Sequence, residues 1–265
     1  MILQPVVWVA LLFSIMSVVG VEPSEAAADR EKLLSDPGVY GTFVVYSLEE
    51  EWAKLAPPSR IAQLTAMRGM VAQYREKAAI DLYMLRGLSD HADVMFRIHA
   101  QDLRTTQQFL VDLRNTSFGR YLKSVWLMNG LTKKANYVPG FSDQMKADLK
   151  GLSVAGPNPY AIVIPIRKSA EWWALDQQSR MSMMEEHTAA ALPYQKTIKR
   201  KLYHSTGLGD ADFITYFETA NLEEFQSLIL ALKQVKEFQY ARQFGHPIWL
   251  GTAKSVDEII EMFAQ

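Results

Sequence analysis

Residues 51–60 (EWAKLAPPSR) recur as residues 171–180 (EWWALDQQSR), and residues 82–90 (LYMLRGLSD) recur as residues 202–210 (LYHSTGLGD). Both pairs are separated by the same offset of 120 positions. Because two separate segments keep the same spacing, the chain contains two copies of one folding unit. Each position of the first copy can therefore be compared with its counterpart in the second.

The hydrophobic pattern of each copy predicts a strand, a long helix, two strands joined by a turn, a second helix and a final strand. In the first copy we expect strands near 41–47, 79–86, 93–99 and 124–129, and helices near 50–75 and 102–120. In the second copy we expect strands near 161–166, 199–205, 212–218 and 247–251, helices near 169–191 and 221–242, and a short C-terminal helix from Ser255. This βαββαβ order is typical of the ferredoxin-like arrangement. Two such units can bury the uncovered faces of their sheets against each other, which predicts an α+β fold with a barrel-like core.

The N-terminal region has the pattern of a secretion signal. Residues 6–21 form an apolar run of suitable length, and Ala26 and Ala28 satisfy the small-x-small cleavage pattern. No lysine or arginine precedes the run; an uncleaved membrane anchor is the alternative, but the run is short for a span. We expect cleavage after Ala28, a periplasmic mature chain and no membrane contact after cleavage. The expected division is a signal peptide, a first half, a linker and a second half: residues 1–28, 29–140, 141–160 and 161–265.

Composition argues against several classes of function. The 265-residue chain has a net charge of −1 and no basic stripe, which argues against a nucleic-acid partner. It contains no cysteine, so disulfides, cysteine nucleophiles and thiolate metal sites are excluded. It also lacks an HExxH zinc motif, a GxSxG elbow and a phosphate-binding glycine loop. Within its tight basic cluster, Lys196, Lys199 and Lys201 are expected to lie on a solvated strand edge.

At several positions where the first copy has an apolar residue, the second copy has a polar one. Three aligned positions change from apolar to polar: Met67 to His187, Ile80 to Arg200 and Phe96 to Thr215. Each change has an ordinary explanation, since core histidines, structural ion pairs and strand threonines are all common. All three nevertheless fall in the second copy, and an imidazole, a guanidinium and a hydroxyl in an apolar setting are typical of a ligand site.

A single histidine without thiolates is a poor zinc site, but it can hold haem iron through one axial bond. Such a ligand normally donates its other ring nitrogen to an acceptor. Glu237, which we place on the second helix of the second copy, is the candidate acceptor. Helical spacing alone would put Glu237 on the surface.

The stretch from Lys168 to Thr219 closely resembles the chlorite dismutases, and the resemblance continues through 232–237 (LKQVKE) and 245–252 (GHPIWLGT). Its most specific parts are EEHT at 185–188 and KRKLYHSTGL at 199–208. The resemblance implies a dimeric α+β barrel made of two ferredoxin-like halves, with one haem b per chain and assembly as a homopentamer. It further implies the conversion of chlorite to chloride and dioxygen.

By position, the resemblance implies that His187 is the axial haem ligand, Glu237 its carboxylate partner and Arg200 the catalytic distal arginine. It implies further cofactor-binding residues at Lys168, Trp172, Thr215, Phe217, Asn136 and Tyr137. The implied mechanism transfers an oxygen atom to give a ferryl haem and hypochlorite, which Arg200 retains until the O–O bond forms.

Three alternatives stay open. The chain could be a coproheme decarboxylase or peroxidase-like haem protein of the same fold, or a periplasmic haem-binding protein without turnover. It could also be a cofactor-free barrel in which His187 and Arg200 are structural. Arg200 and the export signal argue against the decarboxylase branch, since its members generally lack the distal arginine and act in the cytosol.

Overall fold

The computed structural model describes residues 29–134 and 159–265. The expected signal peptide, Asn136, Tyr137 and almost all of the expected linker lie outside these residues. The strands are β1 (Tyr40–Leu48), β2 (Ala78–Met84), β3 (Val94–Ala100), β4 (Leu122–Leu131), β5 (Tyr160–Lys168), β6 (Ile198–His204), β7 (Phe213–Thr219), β8 (Ala241–Phe244) and β9 (Trp249–Lys254). The helices are α1 (Arg30–Ser35), α2 (Glu50–Ala53), α3 (Pro57–Gln73), α4 (Leu103–Asn115), α5 (Ala170–Ala174), α6 (Gln177–Ala191), α7 (Leu222–Gln234) and α8 (Val256–Ala264). Short 3₁₀ helices cover Gly119–Tyr121, Leu192–Tyr194 and Lys236–Tyr240.

The strands form a closed antiparallel ring that contains both copies. Their order is β7-β6-β4-β1-β3-β2-β9-β5, and β5 pairs again with β7 to close the ring. The copies meet at two seams, β4 with β6 and β2 with β9. Strand β8 pairs with the end of β5 beyond the stretch that β9 occupies. The predicted α+β fold of two ferredoxin-like halves around a shared barrel is confirmed.

Alternate residues of the strands face the barrel interior and the surrounding helices, as the pleat requires. The interior buries side chains of both copies, among them Phe43, Val45, Tyr83, Met95, Val163, Tyr203, Tyr216 and Trp249. The outer face of the first half packs against α3, α4 and α8. The outer face of the second half packs against α6 and α7, and it is this layer that contains the candidate site.

The barrel interior also contains charged side chains, which the sequence analysis did not predict. Arg97 is fully buried and donates to Asp81, with 2.9 Å between Nη2 and Oδ2. Nη2 also lies 3.8 Å from Oε1 of Glu218, and the guanidinium carbon lies 4.0 Å from the centre of the Tyr216 ring. These contacts offset the cost of removing the guanidinium from water. Buried charge is therefore not limited to the second copy.

The first helix of each copy is broken, where one continuous helix was predicted. In the first copy, α2 ends at Ala53 and α3 begins with Pro57 and Pro58. Proline lacks an N–H and is tolerated only in the first turn of a helix, so it forces a new helix to begin. In the second copy the break comes before Asp176, whose carboxylate accepts the N–H of Ser179 and caps α6.

The second helix of the second copy is shorter than predicted. α7 ends at Gln234, and the rest of the predicted 221–242 helix is a 3₁₀ helix followed by the start of β8. Glu237 therefore lies on the 3₁₀ helix, and the placement of this residue on α7 is wrong. The change of helical period turns Glu237 inward, where it is buried.

The prediction that Lys201 lies on a solvated strand edge is wrong. Its side chain is buried, and Nζ donates to the backbone oxygen of Leu34 in α1. Burial lowers the pKa of Lys201 to about 8, and the charge of Arg97 adds to the shift. Arg30 of the same helix pairs with Asp81 at 2.6 Å, so two cations tie α1 to the barrel. Within the described residues, no helix is long and apolar enough to cross a bilayer.

Candidate active site

A cavity of about 90 Å³ lies between the outer face of the second half-sheet and the helices that cover it. The sheet contributes Ile166, Lys168, Arg200, Leu202, Phe213 and Thr215, and the helices contribute Trp172, Met184, His187 and Glu237. An adjoining space adds Phe217, Ile229, Leu232, Phe238, Ala241 and Phe244. The wall is mostly apolar with a few convergent polar groups, which is the usual make-up of a ligand site.

The structure brings together every described residue that the sequence analysis assigned to the site. Lining the cavity or its adjoining space are Lys168, Trp172, His187, Arg200, Thr215, Phe217 and Glu237. Asn136 and Tyr137 lie outside the described residues. The roles assigned to all nine residues stay predictions.

His187 of α6 is held by Glu237. Its Nδ1 lies 3.1 Å from Oε2 of the carboxylate. Because a carboxylate only accepts hydrogen bonds, Nδ1 carries the ring proton and Nε2 keeps its lone pair. Burial lowers the pKa of His187 to about 3, and the positive charges of Arg200 and Lys168 add to the shift. The ring is therefore neutral at neutral pH, which is the form that binds a metal.

Lys168 binds the other oxygen of the same carboxylate. Its Nζ contacts Oε1 of Glu237 and lies 4.7 Å from the centre of the Trp172 ring. Burial lowers the pKa of Lys168 to about 8, and the charge of Asp212 opposes the shift. The adjacent Glu237 carboxylate opposes it further, so the ammonium stays charged at neutral pH. Glu237 is thus buried between an imidazole and an ammonium, which compensates its negative charge.

Arg200 and Thr215 lie on the sheet side of the cavity. They occupy neighbouring strands, with Arg200 opposite Phe217 and Thr215 opposite Leu202 in the register of β6 and β7. The Thr215 hydroxyl donates to the backbone oxygen of Ile164 at 3.0 Å, so its proton is committed to the sheet. Arg200 places a permanent positive charge at this wall, which suits a small anion.

The donor set fits haem better than a bare metal ion. Among residues 29–134 and 159–265, no group of three or more histidine, aspartate or glutamate side chains is arranged to hold an ion. One neutral imidazole at the wall of an apolar cavity instead suits a cofactor that brings most of its iron ligands with it.

Comparison with known proteins decides the family. The sequence model of the chlorite dismutase family matches residues 60–254. The chain belongs to the chlorite dismutase family. The resemblance identified from the sequence is thereby confirmed.

Individual relatives agree with the family assignment. The chain is 39% identical to the chlorite dismutase of Ideonella dechloratans over 235 residues, which is 88% of this chain and 82% of that protein. The chlorite dismutase of Candidatus Nitrospira defluvii, solved in complex with imidazole, is 56% identical; its TM-score is 0.85, with 90% of this chain and 100% of that one covered. The coproheme decarboxylase of Mycolicibacterium smegmatis is 29% identical over 184 residues, 68% of this chain and 74% of that protein.

The sequence analysis missed most of the apolar wall. Leu202 and Phe213 follow from strand alternation, because they lie two positions from Arg200 and Thr215 on the same faces. Phe238 and Phe244 carried no such signal. Phe238 lies beyond α7 in the segment predicted as helix, and Phe244 lies between that segment and the next predicted strand. Trp173 is half exposed and stacks on Phe213 with 6.2 Å between ring centres, so it shields that wall from outside.

Proposed function

We propose that this protein binds one haem b per chain and decomposes chlorite to chloride and dioxygen. Its family and its 56% identity to a chlorite dismutase of the same fold support the conversion of chlorite. One observation carries the haem assignment: the neutral imidazole of His187, held through Nδ1 by Glu237, lies at the wall of an apolar cavity.

His187 would bind the haem iron through Nε2, and Trp172, Thr215 and Phe217 would form the pocket around the cofactor. The haem, when bound, would supply redox-active iron for the transfer of oxygen atoms. Glu237 draws on the Nδ1 proton and makes His187 a stronger donor. The ion pair of Lys168 with Glu237 partly neutralises the carboxylate and so reduces its effect on the donor strength of His187.

Arg200 would hold the anions of the reaction. Chlorite arrives as an anion, and it leaves hypochlorite when it loses one oxygen atom. A guanidinium is charged at every working pH and presents several donors to such oxyanions. The apolar surroundings strengthen this attraction relative to water. Arg200 thereby retains hypochlorite until the O–O bond forms and limits its escape.

A coproheme decarboxylase is the second candidate, and the relative from Mycolicibacterium smegmatis supports it. The greater identity to two chlorite dismutases, 39% and 56%, favours the chlorite reaction. We further propose export to the periplasm, from the N-terminal sequence pattern, and assembly as a homopentamer, from the family resemblance.

An oxygen electrode tests the proposal directly. Haem-loaded protein should release one dioxygen per chlorite consumed, and protein without haem should release none. Iron coproporphyrin and peroxide, added in a parallel sample, should give no carbon dioxide. Absence of oxygen from haem-loaded protein would contradict the proposal, and carbon dioxide in the parallel sample would then identify a decarboxylase.

A further inference from the structure

The two copies share one hydrogen-bonded anchor at the end of their first strand. Oδ2 of Asp93 accepts the N–H of Leu48 at 2.6 Å, and Oδ2 of Asp212 accepts the N–H of Lys168 at 2.7 Å. In both copies the backbone oxygen of the same aspartate also accepts two amides from the preceding hairpin. The anchor is therefore a structural element common to the two halves.

The copies differ in what surrounds this anchor. In the first copy, Arg86 also pairs with the carboxylate, with 2.6 Å between Nε and Oδ1 of Asp93. In the second copy Thr206 stands at the aligned position, and its hydroxyl donates to the backbone oxygen of Asp212. The apolar Leu48 is at the same time replaced by Lys168. The second copy therefore lacks the arginine that pairs with the aspartate, and it has a lysine at the position whose amide the aspartate binds.

The Asp212 anchor binds the backbone at a point where regular strand pairing is interrupted. The pairing of β5 with β8 shifts its register between Arg167 and Lys168, so the ladder is interrupted there. The carboxylate of Asp212 takes the Lys168 amide at this irregularity. From this position Nζ reaches both Glu237 and the face of Trp172.

We propose that Asp212 is a positioning residue of the His187 site. It fixes Lys168, Lys168 holds Oε1 of Glu237, and Glu237 holds Nδ1 of His187 through its other oxygen. Asp93 makes the same backbone bond in the first copy, where Leu48 contacts no such site, and is a matched control. The effect on haem retention rests on the proposed function, whereas the effect on the His187 ring does not.

The first test uses the protein without haem. Asp212→Ala and Asp93→Ala each remove one anchor, and the ring ¹⁵N and Nδ1–H resonances of ¹⁵N-histidine-labelled protein are then recorded. The chain has only five histidines, so His187→Gln identifies the resonances of His187. Asp212→Ala should shift or broaden the Nδ1–H signal, and Asp93→Ala should leave it unchanged. An unchanged signal in Asp212→Ala, or equal changes in both variants, would overturn the proposal.

The second test uses the haem-loaded protein and measures haem transfer to apomyoglobin. Substitution of groups that support a metal ligand costs about tenfold or more in retention. Asp212→Ala should therefore lose haem about tenfold faster than the wild type, and Asp93→Ala should lose it at the wild-type rate. Equal rates in the two variants would show that Asp212 is a loop anchor only.

A conservative variant guards against misfolding. Asp212→Asn keeps an acceptor oxygen for the Lys168 amide but loses the charge, and it should lose haem at a rate between those of the wild type and Asp212→Ala. If Asp212→Ala does not fold, Asp212→Asn and Asp93→Asn are compared instead, and equal rates of haem loss in these two variants would overturn the proposal. If the wild type takes up no haem, the proposed function fails, and the resonances of His187 still decide the role of Asp212.

Discussion

Nδ1 of His187 lies 3.1 Å from Oε2 of Glu237, although the two residues are 50 positions apart and lie on different elements. The other oxygen of the carboxylate is taken by Lys168. The imidazole is thus oriented by the protein itself, with its proton on Nδ1 and the lone pair of Nε2 left for a metal. A ligand held in this way needs little reorganisation when a metal binds.

Replacing His187 by alanine should abolish haem binding. The substitution removes the one imidazole placed at the cavity wall by α6, so the Soret band should be absent after incubation with haem and gel filtration. His91→Ala is the control, because the His91 side chain is 52% exposed and is not predicted to bind haem. A Soret band of wild-type position and intensity in His187→Ala would remove the ligand assignment.

Replacing Glu237 by glutamine should keep haem but raise the Fe(III)/Fe(II) midpoint potential. The amide retains an acceptor oxygen for Nδ1 but withdraws the charge that makes His187 a strong donor. The buried ammonium of Lys168 loses its adjacent carboxylate, so the apoprotein should lose about 3 kcal/mol of unfolding free energy. Spectroelectrochemistry and urea denaturation measure the two effects. The double variant with Lys168→Met should recover stability but not the potential.

Replacing Arg200 by alanine should leave haem binding intact and impair turnover. Loss of one charge-assisted hydrogen bond to the anion costs about 1.5 kcal/mol, which is roughly tenfold in kcat/KM. Hypochlorite should also escape, and a chlorination trap in solution would detect it. Arg200→Lys keeps a cation and should show a smaller loss. Equal activity, trap signal and enzyme lifetime in wild type and Arg200→Ala would make the arginine structural.

The architecture was accessible from the sequence because the repeat and the strand alternation report it directly. The buried charges of the barrel were not, because alternation gives the face of a side chain but not its partner. Arg97 meets Asp81 only through the register of β2 and β3, and it meets Glu218 across the barrel from the other copy. Glu237 was identified as a candidate but placed on the wrong element. A 3₁₀ helix has fewer residues per turn than an α-helix, so α-helical spacing assigns its side chains to the wrong face.

The stability of the apoprotein should fall as the pH is lowered from neutral. Burial lowers the pKa of His187 from 6.5 to about 3, so the folded ring stays neutral in this interval while the unfolded chain takes up a proton. Proton uptake by the unfolded state favours unfolding, with a slope of about 1.4 kcal/mol per pH unit for one group. His187→Gln should remove this contribution in urea titrations between pH 6 and 4. An unchanged slope would contradict the neutral ring.

Replacing Arg97 by methionine should destabilise the barrel strongly. The change removes the cation that Asp81 and Glu218 share and leaves Asp81 with Arg30, so the expected cost is about 3 kcal/mol, at the low end for a broken buried pair. The control is Arg104→Met, because the pair of Arg104 and Asp102 is exposed to solvent and should contribute little to stability. Urea denaturation of the two variants compares them. A loss below 1 kcal/mol for Arg97→Met would show that the interior network does not need its cation.

The two halves of the ring are joined where β4 meets β6 and where β2 meets β9. A single copy would expose one apolar sheet face and two unpaired edges, so an ancestor of half this length would have needed an identical partner chain. In such a dimer the two chains are identical, so the two clefts must be lined by the same side chains. Two copies joined in one chain are free of that symmetry. Lys168, His187 and Arg200 can therefore occupy one cleft while Leu48, Met67 and Ile80 fill the other.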